Sequence, residues 1–476
     1  MGLSSPDRRR LWLLGVVILL ASAARALLLV VKPIWHDELF TLWVARRSSA
    51  SLWEALRYDS GPPLFYWLEK PFVWLGEALS RDEAARLLPF LVILLLFVGA
   101  FSLKPQAPRF RFVILLAVSP LLLIYSAEAR AYGVLAAADF GVFLLLFRYR
   151  PTAARLCAAA FLVAFALWTH YLAIFFVVSA AFLLMLRRRW KPLAAILAGS
   201  LLFAPWLPIL TAQPVEATTW MREPVGKSVV GLLSALGGAG RIPDPLGGPL
   251  PDFFLWIAAA VGLLAVLVLT LKGDEALRDP IALVLLTTCL VIAASFKRSV
   301  AFAGRSEMAV LPLWLWVMAQ SSIGNRAMRW VVHASVACAL MASVSILAVH
   351  REEPDPSRAT AVIAGLAQKD DLVIAAASFY LPARLAHDRG ELAAPVLPLP
   401  QELARHPGWF TADIPQDADY RVIEMALARL MPNARAFALL PPAFRTARFA
   451  SILGARGVVR VMSERPQTVV LVCTAR

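Results

Sequence analysis

Long apolar runs, separated by short basic or mixed polar segments, dominate the first 350 positions of the chain. A helix needs about 20 apolar residues to cross roughly 30 Å of hydrocarbon. Such runs lie near 11–31, 86–103, 110–126, 132–147, 153–168, 171–186, 192–210, 252–271, 280–296, 307–323 and 328–349. The pattern predicts eleven membrane-spanning helices. The first run is too long for a signal-peptide core and leads into further spans, so an uncleaved first helix is expected. Past residue 350 the pattern changes: "REEPDPSRAT" brings charges and prolines, "DLVIAAAS" reads as a buried strand, "DYRVIEMALARLM" as a helix, and "GVVRVMSERPQTVVLVCT" as a strand pair turning at Pro466 and Gln467. The expected organisation is an all-α polytopic membrane domain over 1–350, with a long first outer loop at 32–85, and a small α/β domain over 351–476. No internal repeat is evident, which weakens an inverted-repeat transporter architecture.

Composition agrees with the pattern. Of 476 residues, 60% are hydrophobic and 17% charged, with a mean hydropathy of +0.69. This excludes an ordinary soluble domain. The net charge of +15 does not imply nucleic acid, because most basic residues sit in short connections between apolar runs. With the N-terminus inside, six short inner segments carry seventeen lysines and arginines, whereas the outer loops at 127–131, 169–170, 211–251 and 297–306 carry seven over a greater total length. The positive-inside rule favours that orientation. An odd span count then places the 32–85 loop and the C-terminal domain on the outer, extracytoplasmic side. The four cysteines show no paired spacing and imply neither a disulfide framework nor a zinc site.

Ionisable residues near hydrocarbon are costly and tend to mark function. Here they gather at outer turns. Asp37 and Glu38 follow the first span in "IWHDELFTLW", and Asp59 lies in "YDSGPPLFYW" of the same loop. Glu128, Arg130 and Tyr132 lie in "YSAEARAYG", His170 in "LWTHYLAIF", and Arg305 in "FAGRSEMAVLPLW". Each has an ordinary structural alternative. The acidic pair can cap a helix starting near Leu39, Glu128 and Arg130 can form a local ion pair, and His170 can belong to an interfacial aromatic belt. The prolines of "GPPL" can simply open a helix. The conjunction on one side of the membrane points to a functional face. Arg25 and Asp139 are the exceptions inside spans.

In order and type, "HDELF", "DSGPPLFYW", "EARAY" and "THY" resemble the GT-C superfamily of glycosyltransferases, especially bacterial relatives of dolichyl-phosphate-mannose protein mannosyltransferases and of the lipid A aminoarabinose transferase. The resemblance covers residues 1 to about 325. It departs at Arg305, which is followed by Ser306 and Glu307 where relatives often have tyrosine and an apolar stretch. The resemblance makes Arg305 a ligand of the lipid phosphate, and because of this departure Lys297 and Arg298 are neighbouring candidates for that role.

The resemblance implies transfer of a sugar from a polyprenyl-phosphate donor to a glycan, lipid or protein acceptor at the outer face of a bacterial inner membrane, with inversion. Arginines hold phosphate bidentately, which suits Arg130 and Arg305. Asp37 is the expected general base, and Glu38, Asp59, Glu128, Tyr132 and His170 are expected to bind substrate or hold its ligands in place. Asp37, Glu38 and Asp59 have oxygen donors for a divalent cation, but the first loop has no Asp-x-Asp pair, and neither a metal nor another cofactor is expected. The partners are the lipid donor, the acceptor and the bilayer, with no nucleic acid. The rival class is a transporter or flippase of a lipid-linked saccharide, for which Asp139 is the strongest feature; a silent relative used for assembly is a third.

Overall fold

The structure is a computed structural model describing residues 5–103, 106–221, 223–240, 252–272, 274–348, 355–409, 415–465 and 468–475. It divides into two compact units, one formed by 1–32 and 60–350, the other by 33–59 and 351–476. Among the described residues, helices α1 (Ser5–Val31), α2 (His36–Ala45), α3 (Ser49–Leu56), α4 (Leu64–Leu79), α5 (Leu87–Ser102), α6 (Gln106–Val118), α7 (Pro120–Tyr125), α8 (Tyr132–Phe143), α9 (Ala153–Thr169) and α10 (Leu172–Leu186) come first. They are followed by α11 (Trp190–Leu201), α12 (Leu207–Ala212), α13 (Val225–Leu236), α14 (Asp252–Lys272), α15 (Arg278–Ser295), α16 (Leu311–Ser321) and α17 (Arg326–Ala348).

Each apolar run of the sequence coincides with helix in the first unit. Among the described residues, six helical stretches are long and apolar enough to cross a membrane: Trp12–Val31, Asp82–Phe101, Trp190–Ala212, Asp252–Leu271, Glu275–Ser295 and Arg326–Ala348. Ala153–Thr169, Leu172–Leu186 and Val225–Leu236 are shorter apolar helices, the last of them in a stretch that the sequence pattern left as loop. The chain is thus a multi-pass membrane protein.

The expected single span at 110–126 is two helices. Ser119 caps α7, its hydroxyl accepting from the Leu122 amide at 3.5 Å, and Pro120 takes the first helical position. Arg25 explains itself at this break. Its guanidinium donates to the carbonyls of Leu116 and Ala117 at the end of α6, at 3.1 and 3.3 Å, satisfying backbone groups that a terminating helix leaves open. Close packing relies on glycine between α13 and α14: a side-chain carbon on Gly237 would collide with the Ala258 carbonyl, and one on Gly262 with that of Leu233. Small residues let helix backbones approach where lipid offers no hydrophobic drive.

The second unit adds β1 (Leu372–Ala376), β2 (Val396–Leu399), β3 (Ala436–Leu440), β4 (Gly457–Arg465) and β5 (Thr468–Ala475), with α18 (Asp355–Ala364), α19 (Tyr380–Asp388), α20 (Asp417–Ala428) and α21 (Ala447–Arg456). The sheet order is β2-β1-β3-β5-β4. The first three strands are parallel, and β5 runs antiparallel to both β3 and β4. β1 is buried along its whole length, as a central strand covered on both faces must be. In α20, Tyr420, Ile423 and Leu427 repeat at helical spacing and are buried. The strand pair β4 and β5 is paired as the sequence predicts; the turn expected at Pro466 and Gln467 lies outside the described residues.

The first outer loop does not behave as one segment. Residues 33–59, expected with the membrane part, belong to the unit of the C-terminal sheet. The reason is burial: α2 packs against α19, and Phe40, Leu42, Trp43, Val44 and Ala45 are all buried. An isolated ten-residue helix would be marginal without such a partner. The remainder, from Ser60 through α4, stays with the membrane helices, and Pro63 stands at the start of α4.

Candidate active site

In the first unit the expected residues converge. The end of α1 is fixed by Arg86, whose Nη1 donates to the carbonyls of Leu29 and Lys32 at 2.8 and 2.6 Å. The Lys32 ammonium meets Glu128 Oε1 at 2.7 Å, with side chains only 4% and 0% exposed. Glu128 is therefore matched by a cation 96 positions away, not simply by the local partner Arg130 that its spacing suggested. The Arg130 amide donates to the Glu128 carbonyl at 2.7 Å, tightening the turn before α8.

Tyr132 opens α8 and lies at the centre of an aromatic and cationic group. Its ring sits 4.7 Å from that of Tyr125 and 4.9 Å from the His170 imidazole. The guanidinium carbons of Arg130 and Arg305 stand 5.8 and 5.9 Å from the same ring, within cation–π range. Arg305 is 4% exposed. Its position depends on Gly304, which adopts a φ of +90°, a conformation glycine reaches without steric cost. The Tyr125 hydroxyl donates to the Gly304 carbonyl at 2.7 Å, and the Gly304 amide donates to Glu307 Oε2 at 2.9 Å. The departure from the family pattern after Arg305 thus has a structural use: Glu307 holds the turn that delivers the arginine. Arg298 is engaged elsewhere, donating to the Pro214 carbonyl at 3.0 Å.

His170 Nδ1 accepts from the Leu172 amide at 3.1 Å, which leaves the ring proton on Nε2. Burial, and then the positive charges of Arg130 and Arg305, hold its pKa down to about 3. It is a neutral ring facing Tyr132 rather than an interfacial-belt residue. The next residue anchors a chain of hydrogen bonds. Trp206 Nε1 donates to the Tyr171 hydroxyl at 2.7 Å, Tyr171 donates to Gln213 Oε1 at 2.8 Å, and Gln213 Nε2 donates to the Gly61 carbonyl at 3.4 Å. This ties the turn before Pro62 and Pro63 to the turn after α9.

The second unit carries the other three expected residues. α2 begins at His36, not near Leu39, so the capping assignment changes. Glu38, fully buried, accepts from the Trp35 amide at 3.4 Å and closes the helix start. Asp37 sits in the first turn, where the helix dipole suits a negative charge, and the Thr41 hydroxyl donates to its backbone carbonyl at 3.2 Å. Asp59 is buried and lies 3.7 Å from His406 Nε2. Burial, and then the neighbouring His36 and Arg47, push the His406 pKa down to about 3. The pair is consequently a carboxylate beside a neutral imidazole, not a salt bridge. Among the described residues, no group of three or more His, Cys, Asp and Glu side chains could hold a metal ion.

Eight residues expected from sequence therefore fall into two sets. Glu128, Arg130, Tyr132, His170 and Arg305 form one cluster in the first unit; Asp37, Glu38 and Asp59 lie in the second. Sequence reasoning missed Lys32, Tyr125, Glu307 and His406. Tyr125 opens the "YSAEARAY" stretch and was within reach of a motif argument, whereas Lys32 and His406 carry no local signal.

A polytopic helical unit together with a small α/β unit is an architecture that this chain shares with solved glycosyltransferase structures. Among solved structures, the chain is similar to ArnT from Cupriavidus metallidurans bound to undecaprenyl phosphate, with a TM-score of 0.60, 13% identity and 98% of each chain covered. It is also similar to the Archaeoglobus fulgidus oligosaccharyltransferase in complex with zinc and sulfate, with a TM-score of 0.51 and 11% identity over 92% of this chain and 69% of that one. A third is the arabinofuranosyltransferase AftD from Mycobacteria, with a TM-score of 0.50 and 15% identity over 100% of this chain and 40% of that one. At these identities the likeness is one of fold. No protein-family model and no curated protein matches the chain in sequence.

Proposed function

We propose that the chain is an inverting glycosyltransferase that moves a sugar from a polyprenyl-phosphate donor to an acceptor at the outer face of a bacterial inner membrane. The observation that carries this reading is the pair of guanidinium groups, Arg130 and Arg305, held 5.8 and 5.9 Å from the Tyr132 ring in a fold whose solved example ArnT is bound to undecaprenyl phosphate. Two planar cations beside a neutral histidine suit the phosphodiester that joins lipid to sugar and the phosphate monoester left on the lipid after transfer.

The chemistry is a single displacement. The acceptor hydroxyl oxygen attacks the anomeric carbon while Asp37 takes its proton, and the bond from that carbon to the phosphate oxygen breaks. The electron pair leaves with the polyprenyl phosphate, whose charge Arg130 and Arg305 stabilise as it develops. Lys32 and Glu128 hold the turn that carries Arg130. No metal is assigned a step. The orientation follows from the distribution of basic residues, and the sugar and acceptor are set by recognition beyond these groups.

The test is transfer from a radiolabelled polyprenyl-phosphate sugar by the full chain in nanodiscs, run across a panel of sugars and acceptors and repeated with chelator. Transfer that survives chelation supports the reading; dependence on added magnesium or manganese overturns its metal-free form. A second reading, a carrier of lipid-linked saccharide, is favoured by Asp139. This residue is 1% exposed, and neither carboxylate oxygen has a hydrogen-bond partner among the described residues. Vesicles that move the lipid-linked sugar across the bilayer without transferring it would establish the carrier instead.

A further inference from the structure

His36 precedes the residue assigned as base, and no role in transfer falls to it. Its side chain nevertheless makes a specific contact: Nε2 lies 3.3 Å from the carbonyl oxygen of Gly408, 372 positions along the chain. A carbonyl can only accept, so the imidazole carries its proton on Nε2 and donates.

The segment around Gly408 is built against the same helix. His406, 3% exposed, packs its ring at a tilt 4.8 Å from Phe40 and 5.5 Å from Trp409, with Trp43 edge-on at 6.5 Å. Trp409 Nε1 donates to the Tyr58 carbonyl at 2.8 Å, closing the segment onto the far end of 33–59. Gly408 has no room for a side chain. A carbon added there would stand 2.8 Å from the Phe40 ring and 2.9 Å from His406 Cε1. α2 is thus gripped twice: aromatic packing seizes Phe40 and Trp43, and the His36 hydrogen bond fixes the rotation of its first turn.

We propose that His36 is a positioning residue for Asp37, and that the 406–409 segment of the C-terminal unit is the surface through which it acts. This rests on Asp37 being the base of the transferase. A carboxylate that must meet a hydroxyl within hydrogen-bond reach gains nothing from a helix free to rotate, and small misplacements of a reacting group cost large factors in rate.

The experiment compares the full chain with His36→Phe, His36→Gln and Gly408→Val in nanodiscs, reading backbone amide exchange over 37–45, transfer kinetics and binding of polyprenyl phosphate. The amide of glutamine offers an N–H donor in place of Nε2–H. His36→Phe and Gly408→Val should speed exchange in α2 and lower kcat by roughly a hundredfold, with polyprenyl phosphate binding unchanged; His36→Gln should keep α2 protected and retain most of kcat. Unchanged exchange in His36→Phe would overturn the proposal. So would a His36→Gln enzyme with a protected α2 but a kcat as low as that of His36→Phe, because the imidazole would then act chemically. If the wild-type chain transfers no sugar, the transferase reading falls, and the exchange comparison alone decides whether His36 holds α2.

Discussion

Lys32 and Glu128 form a buried ion pair at 2.7 Å, joining the residue that follows α1 to the turn that carries Arg130. Both charges are out of water, so each depends on the other. Lys32→Met or Glu128→Gln alone breaks a buried ion pair by removing one side of it and should cost roughly 3–5 kcal/mol. The double variant should recover most of that loss. Thermal unfolding in detergent checks this, and single variants as stable as wild type would show that the pair does not hold the turn.

Arg305 should act on the lipid phosphate. Arg305→Ala removes charge-assisted hydrogen bonds worth about 1.5–3 kcal/mol, so polyprenyl phosphate binding should weaken about ten- to a hundredfold. Arg305→Lys should recover part of the charge but not the bidentate geometry. Equal binding by all three proteins would remove Arg305 from the site.

Asp37→Asn keeps the size of the side chain and removes the base. Transfer should fall about a hundred- to ten-thousand-fold, with polyprenyl phosphate binding and thermal stability near wild type. Wild-type transfer by this variant would end the base assignment.

His406 makes the second unit sensitive to acid. Its folded pKa is about 3 against an ordinary 6.5, lowered first by burial and then by His36 and Arg47. Below about pH 6.5 the unfolded chain takes up a proton that the folded unit refuses, so stability declines as pH falls from about 6.5 towards 3. His406→Phe preserves a ring and removes that proton. Its melting temperature should fall less than that of wild type between pH 7 and pH 4, and parallel curves would sink the account.

Much of this was legible in the chain. A run of about twenty apolar residues has few alternatives to a membrane helix, and each run is helical. "EARAY", "THY" and Arg305 stood out as candidates because ionisable groups beside hydrocarbon need a reason to be there, and the structure brings them around Tyr132. Arg25 was legible only as an anomaly; that it caps the end of α6 depended on the break at Ser119 and Pro120.

By itself, then, the sequence determined that the long apolar runs are helical, that the tail holds a buried strand and a terminal strand pair, and which turns concentrate charge, because hydrophobic period and the cost of burying ions act over short stretches of chain; α13, β2 and β3 left no such mark. Only the tertiary structure decided that Lys32 answers Glu128, that Glu307 and Tyr125 set the turn of Arg305, and that the helix carrying Asp37 is held by Gly408 and His406. Apart from the local bond between Gly304 and Glu307, these pairings join positions tens to hundreds of residues apart. They satisfy buried charges and fill aromatic gaps, and neither requirement leaves a periodic mark in the local sequence.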